Sequence, residues 1–134
     1  MIGIIFICLL SDLVTINADY TFSVTKSEWD NVPCSLVTID DMSEQNEIAN
    51  APDNNDDMWI GLHKVANSPE FTWIDNTARN YKNFQPSDRP SISDRKCVYM
   101  RGGNNNKWQS EDCNTRLKYI CETRKIIQSY TFCY

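Results

Sequence analysis

The side chains best placed for covalent chemistry are the cysteines. The chain has six. Cys8 falls inside an apolar N-terminal run, which leaves Cys34, Cys97, Cys113, Cys121 and Cys133. In an exported chain such thiols pair as disulfides. Two bridges among five cysteines can be drawn in about 15 ways, and residue spacing alone does not choose between them. The other reactive groups assemble no enzyme. His63 is the single histidine, too few for a histidine zinc site. A Cys-His nucleophile pair would need a reduced cysteine beside it. There is no phosphate-cradling glycine loop and no serine elbow. The acidic run Asp53-Asn54-Asn55-Asp56-Asp57 lacks the glycine and closing glutamate of an EF-hand, so it reads as a solvated turn. No Asn-x-Ser/Thr sequon occurs, so N-glycosylation is not expected.

These groups must be held by short elements. Tyr20 to Val24 suits a first strand. Ser27 is placed to cap a short helix through Trp29, which Pro33 limits. Leu36, Val37 and Ile39 form an apolar patch after Cys34. Ser43 to Ala49 reads as a second short helix with Ser43 as N-cap, ended by Pro52. Met58 to Leu62 and Phe71 to Ile74 read as strands, and Asn76 as a tolerated left-handed position after Asp75. Asn76 to Lys96 has no clean periodicity. A structureless stretch of that length in a small domain is usually functional or disordered. Cys97 to Met100, Lys107 to Gln109 and Lys118 to Thr123 complete the strands, with a Gly102–Asn106 turn. Trp59 and Trp73 are expected in one core with Ile60, Leu62, Val98 and Ile120, and Trp108 is expected in the core too.

Composition sets the outer limits. The length suits one domain. A net charge of -5 lacks the electrostatic footprint of a nucleic-acid or anionic-membrane binder. The apolar run from Met1 to Leu10 is too short to span a bilayer, which needs about 20 residues. It suits a secretory signal cleaved after Ala18. The expected organisation is a signal peptide over 1–18, a domain over 19–123 and a tail over 124–134, in a secreted protein without a transmembrane segment.

The order of motifs is the strongest signal. Trp59-Ile60-Gly61-Leu62 is followed by Phe71-Thr72-Trp73-Ile74-Asp75, Cys97-Val98-Tyr99-Met100, Lys107-Trp108, Cys113 and Tyr119-Ile120-Cys121-Glu122. This series, from Tyr20 to Glu122, resembles the C-type lectin-like domain. The resemblance implies an α+β fold: two short helices flank small antiparallel sheets with a long loop, stapled by disulfides. It implies Cys34 paired with Cys121 and Cys97 with Cys113. In the chain-entropy model the longer loop would stabilise by about 4–5 kcal/mol and the shorter by about 3. Trp29 and Cys34 stand closer together than in the family, so either the first helix is short or Cys34 is placed differently. Cys133 is left over, either free or joining a second chain in a disulfide-linked dimer.

Many members of that family bind sugar through calcium, which needs six to eight hard oxygen ligands. The resemblance places the first ligand tripeptide on Arg89-Pro90-Ser91, with Gln85-Pro86-Ser87 as a rival register. The second pair falls on Gln109-Ser110 after Trp108. Arg89 offers no lone pair, and neither register supplies a carboxylate. No metal ligand is therefore assigned, and no cofactor is expected. Asp88, Asp94, Glu111 and Asp112 are the residues that could build a different cation site. Candidate ligand contacts are the long-loop residues Asn80, Tyr81, Arg89, Ser91 and Arg95. Phe84 is read as loop packing. The function implied is a non-enzymatic recognition module for a glycan or an extracellular protein. The alternative is a structural or protein-interaction module linked through Cys133.

Overall fold

The computed structural model describes residues 9–52, 54–86, 88, 96–103 and 106–131, with 9–19 and 124–131 as backbone only. Cys8, Asp53, Ser87, Arg89, Pro90, Ser91, Asp94, Arg95 and Cys133 lie outside the described residues. Two compact units are distinguished. One comprises the chain ends, up to Asp19 and from Thr123 onward; the other runs from Tyr20 to Glu122. The second carries the candidate site.

The elements run β1 (Leu9–Phe22), a 3-10 turn (Trp29–Asn31), α1 (Met42–Ala49), β2 (Met58–Lys64), β3 (Thr72–Trp73), β4 (Lys96–Met100), β5 (Trp108–Asp112) and β6 (Lys118–Thr131). The strand order is β1-β6-β2-β4-β5, with β3 on β2. The sheet is mixed rather than purely antiparallel. β2 pairs antiparallel with β3 and β4, but parallel with β6 through Trp59 and Tyr119. The first strand begins well before Tyr20 and ends at Phe22.

The helices correct two expectations. Ser27 caps nothing. It bridges to Leu117 through paired backbone bonds of 2.9 and 3.0 Å, and the first helix is reduced to a single 3-10 turn without a side-chain cap. The chain is too short between Trp29 and Pro33 for more. In α1 the N-cap is Asp41, not Ser43. Its carboxylate accepts from Glu44 N at 2.9 Å. Asp41 thus satisfies an orphan donor of the first turn, and Ser43 is drawn inside the helix. Gln45 and Ile48, three apart, face inward.

Both disulfides are formed, Cys34–Cys121 with Cα atoms 5.9 Å apart and Cys97–Cys113 at 5.1 Å. Strand alternation divides the apolar residues into two clusters. Ile60, Leu62, Trp73, Val98, Trp108 and Ile120 belong to one, beneath α1. Trp59 belongs to the other, with Trp29, Leu36, Tyr119 and the Cys97–Cys113 bridge. The expectation of one core for Trp59 and Ile60 is therefore wrong, because neighbours along a strand point to opposite faces. The second cluster is sealed by two indole hydrogen bonds. Trp59 Nε1 donates to Ser27 O and Trp29 Nε1 to Ile60 O, each at 2.9 Å. His63 stacks on Trp29 at 4.6 Å, a packing position.

The 53–57 run is only partly a solvated turn. Asn54 is buried, and its amide donates to Ile48 O at 3.2 Å and Asn106 Oδ1 at 3.1 Å. Asp56 and Asp57 stay outside, bonded to Lys118 Nζ at 2.7 Å and Gly102 N at 3.1 Å.

Candidate functional site

The long loop is anchored at its root by charge. Asn76 turns the chain in the left-handed region, φ 61°, a conformation Asn tolerates. Arg79 then reaches back. Its guanidinium donates to both carboxylate oxygens of Asp75 at 2.9 Å, to Thr38 Oγ1 at 3.3 Å, and to Asp40 and Thr77. It also lies over the Trp73 ring, 5.4 Å from the centroid. The Arg79 hydrogen bonds hold the Asp75 carboxyl well below the usual carboxylate range, and they raise the guanidinium in turn. A fork of donors suits this role better than a lysine would.

Further along, the loop is laid against the sheet edge. Trp108 N donates to Asn83 O and Gln85 N to Trp108 O, both at 2.8 Å. Phe84 thereby runs parallel to Trp108. The turn closes with Asp88 N donating to Gln85 O at 3.0 Å. The Asp88 carboxylate then accepts from Ser110, from its Oγ at 3.0 Å and its N at 3.3 Å. This segment covers the open edge of β5, which would otherwise present unpaired backbone groups.

Beneath the loop, Trp108 is fully buried and Gln45 Oε1 accepts from its Nε1 at 2.9 Å. Gln45 Nε2 and Asn83 Nδ2 both donate to Asn106 O at 3.1 Å. Lys107 Nζ donates to Asn83 Oδ1 at 2.9 Å. Asn106, at φ 51°, is the hub of this amide network.

A cleft of 440 Å³ opens at the loop root. Its floor is Trp73 and Trp108, edge to face at 5.5 Å. Tyr81 and Phe84 stand edge-on to Trp108 at 5.7 and 5.6 Å, and Phe71 leans on Phe84 at 5.1 Å. Phe71, Tyr81 and Phe84 are half-buried, and Glu70 and Lys82 are exposed at the lip. Burial, aided by Asp41, raises the Tyr81 phenol. Lys64 is buried beside the cleft with its ammonium over Phe71, 5.8 Å from the ring centre.

Of the five residues proposed from the sequence as ligand contacts, Tyr81 lines this cleft. Asn80 is exposed and does not line it. Arg89, Ser91 and Arg95 lie outside the described residues. Phe84 packs on Trp108 as read, and its free side faces the cleft. Sequence reasoning missed Glu70, Phe71, Arg79 and Lys82. Arg79 could have been found as a lone basic residue four positions after Asp75, within a fork's reach. Among the described residues no three His, Cys, Asp or Glu side chains are grouped to hold a metal ion. Gln109 and Ser110 offer an amide and a hydroxyl, and that hydroxyl is turned to Asp88.

Comparisons with known proteins agree with this architecture. The chain belongs to the C-type lectin domain family, whose model matches residues 19–123. C-type mannose receptor 2 of Mus musculus is 30% identical over 78% of this chain, and the match takes in 8% of that protein. C-type lectin domain family 6 member A of Rattus norvegicus is 28% identical over 78% of this chain and 52% of its own length. The chain thus spans little of the first relative and about half of the second. Among solved structures, the cow C-type carbohydrate-recognition domain of CD23, determined in the presence of a GlcNAc2Man3 oligosaccharide, is 27% identical with a TM-score of 0.65. It covers 79% of this chain and 87% of its own. A calcium-independent type II antifreeze protein shares the fold at 21% identity and a TM-score of 0.69, over 92% and 98% of the two chains. No helix among the described residues is long and apolar enough to cross a membrane.

Proposed function

We propose that this chain is a secreted, non-enzymatic recognition module that binds a carbohydrate or glycoprotein ligand through the face built by its long loop, without the calcium-dependent sugar site usual in the family. The observation that carries this reading is the Asp88–Ser110 pair. Calcium binding needs carboxylate and amide oxygens turned outward. Here both Asp88 oxygens accept from Ser110, and Ser110 replaces a carboxylate. The hydrogen-bonded pair itself joins the Asp88 turn to β5, so an ion is not required to hold that part of the loop to the strand. Support for a glycan comes from the cow neighbour's oligosaccharide and from a receptor among the relatives named for mannose. The ligand face remains aromatic and concave, as small-ligand sites are.

The test is a glycan array probed with and without EDTA. Retention of the same glycan signals in EDTA is expected. Loss of all signals in EDTA, with recovery on adding calcium, would refute the calcium-independent reading. An array blank in both conditions would refute the glycan reading itself.

A further inference from the structure

We propose that the cleft at the root of the long loop seats a neutral pyranose residue, its apolar face against Phe71, Tyr81 and Phe84 and its hydroxyls between Glu70 and Lys82. This deepens the glycan reading above and rests on it. At 440 Å³ the cleft lies within the span of small-molecule sites, about 300–1,000 Å³, and suits one or two sugar rings.

The chemistry of the lip points to the ligand class. Most charged side chains near the loop are already engaged: Arg79 with Asp75 and Asp40, Asp88 with Ser110. Glu70 and Lys82 are not, for neither head group is bonded to any described residue. Nor is the Tyr81 hydroxyl, although the ring below it is packed against Trp108. One carboxylate, one ammonium and one phenol are thus held ready at the edge of an aromatic wall. The two charges offset each other, so the lip favours neither an anion nor a cation. It presents acceptors and donors together. A ligand that matches has an apolar face, a rim of groups that both donate and accept, and no net charge. A pyranose is such a molecule. Its C–H face stacks on aromatic rings, and its hydroxyls donate to the Glu70 carboxylate and accept from the Lys82 ammonium in charge-assisted hydrogen bonds. No metal is needed to order the hydroxyls, because Glu70 and Lys82 supply what an ion's shell would.

The experiment uses the full oxidised chain in EDTA. Methyl glycosides of mannose, glucose and galactose are titrated, with saturation-transfer NMR and calorimetry as readouts. Three variants are compared with the parent: Glu70→Gln, Lys82→Met and Arg89→Ala. The first two alter exposed side chains that support no fold contact. At least one glycoside should bind the parent. Glu70→Gln and Lys82→Met should each weaken it by at least about tenfold, the loss of a charge-assisted hydrogen bond. Arg89→Ala tests the rival reading, in which the long-loop contact named from the sequence holds the glycoside in place of the lip. Binding that survives both lip variants but is lost in Arg89→Ala would overturn the cleft while leaving the glycan reading in place. A positive array together with lip variants indistinguishable from the parent would do the same. A parent that binds no glycoside, with a blank array, would remove both.

Discussion

Gly61→Ala should unfold this domain far more readily than its small size change suggests. A Cβ built at Gly61 falls 2.9 Å from Val37 O, 3.1 Å from Leu36 O and 3.0 Å from Ile74 Cγ2. The Ile74 contact is cheap, since that side chain is 41% exposed and can swing away. The two carbonyls cannot. Val37 O accepts from Gly61 N at 2.8 Å, Val37 N donates to Ile120 O at 3.0 Å, and Glu122 N donates to Ser35 O at 2.9 Å. The Cys34–Cys121 bridge pins the same segment. Relief therefore requires moving a stapled backbone off β2. Overpacking of this kind costs about 1–3 kcal/mol. Stretching the buried Gly61–Val37 bond adds about 1–3 kcal/mol, and the smaller unfolded-state entropy of Ala returns about 0.4–1. The expected net loss lies between about 1 and about 5.6 kcal/mol, centred near about 3. Urea unfolding with disulfides intact measures it. Gly103→Ala is the control. It has φ 79° and no heavy atom within 4 Å of a built Cβ, so it should cost only about 1 kcal/mol of backbone strain. Equal losses at the two positions would refute the close approach of residues 36–37 to β2.

The other expectations are more local. Gln45→Leu leaves the buried Trp108 indole N–H without its acceptor and should cost about 1–3 kcal/mol; an unchanged urea midpoint would show that the network is dispensable. Asp75 is held below its unfolded value by Arg79. Its contribution is therefore present above about pH 4 and declines as acid carries the solution toward the lowered folded value. The Asp75 side chain is 39% exposed, so the contribution is no more than about 1 kcal/mol. Arg79→Met should flatten that acid slope in unfolding curves taken across pH, and an unaltered slope would remove the clamp from the account. Replacing Cys34 and Cys121 together with Ala opens a loop of sequence separation 87 and should cost about 4–5 kcal/mol. The Cys97/Cys113 double variant, separation 16, should cost about 3 kcal/mol. Urea unfolding that gave the reverse order would argue against a chain-entropy origin.

The sequence by itself determined the family, both disulfide partners through that resemblance, the burial of Trp108 and the left-handed turn at Asn76. Each is written in local motifs and their order, because a strand buried on both faces reads as a short apolar run and a turn needs a particular residue type. Register and caps were less legible. Trp59 and Ile60 looked like one apolar block, yet the pleat sends them to different clusters. Asp41 and Ser43 are both competent caps, and the helix start is decided by which carboxylate or hydroxyl reaches an amide first. The vestigial first helix follows from too few residues between Trp29 and Pro33, one of the two outcomes the spacing left open. Only the tertiary structure decided the cleft. Glu70 and Phe71 come from the approach to β3, Tyr81 and Lys82 from the loop root, and Trp108 from β5. They meet because Asn83 and Gln85 bond the backbone of Trp108 and because Arg79 ties the loop root to Asp75 and Asp40. Long-range hydrogen bonds of that kind follow no period along the chain, so no local pattern announces which side chains they will bring together.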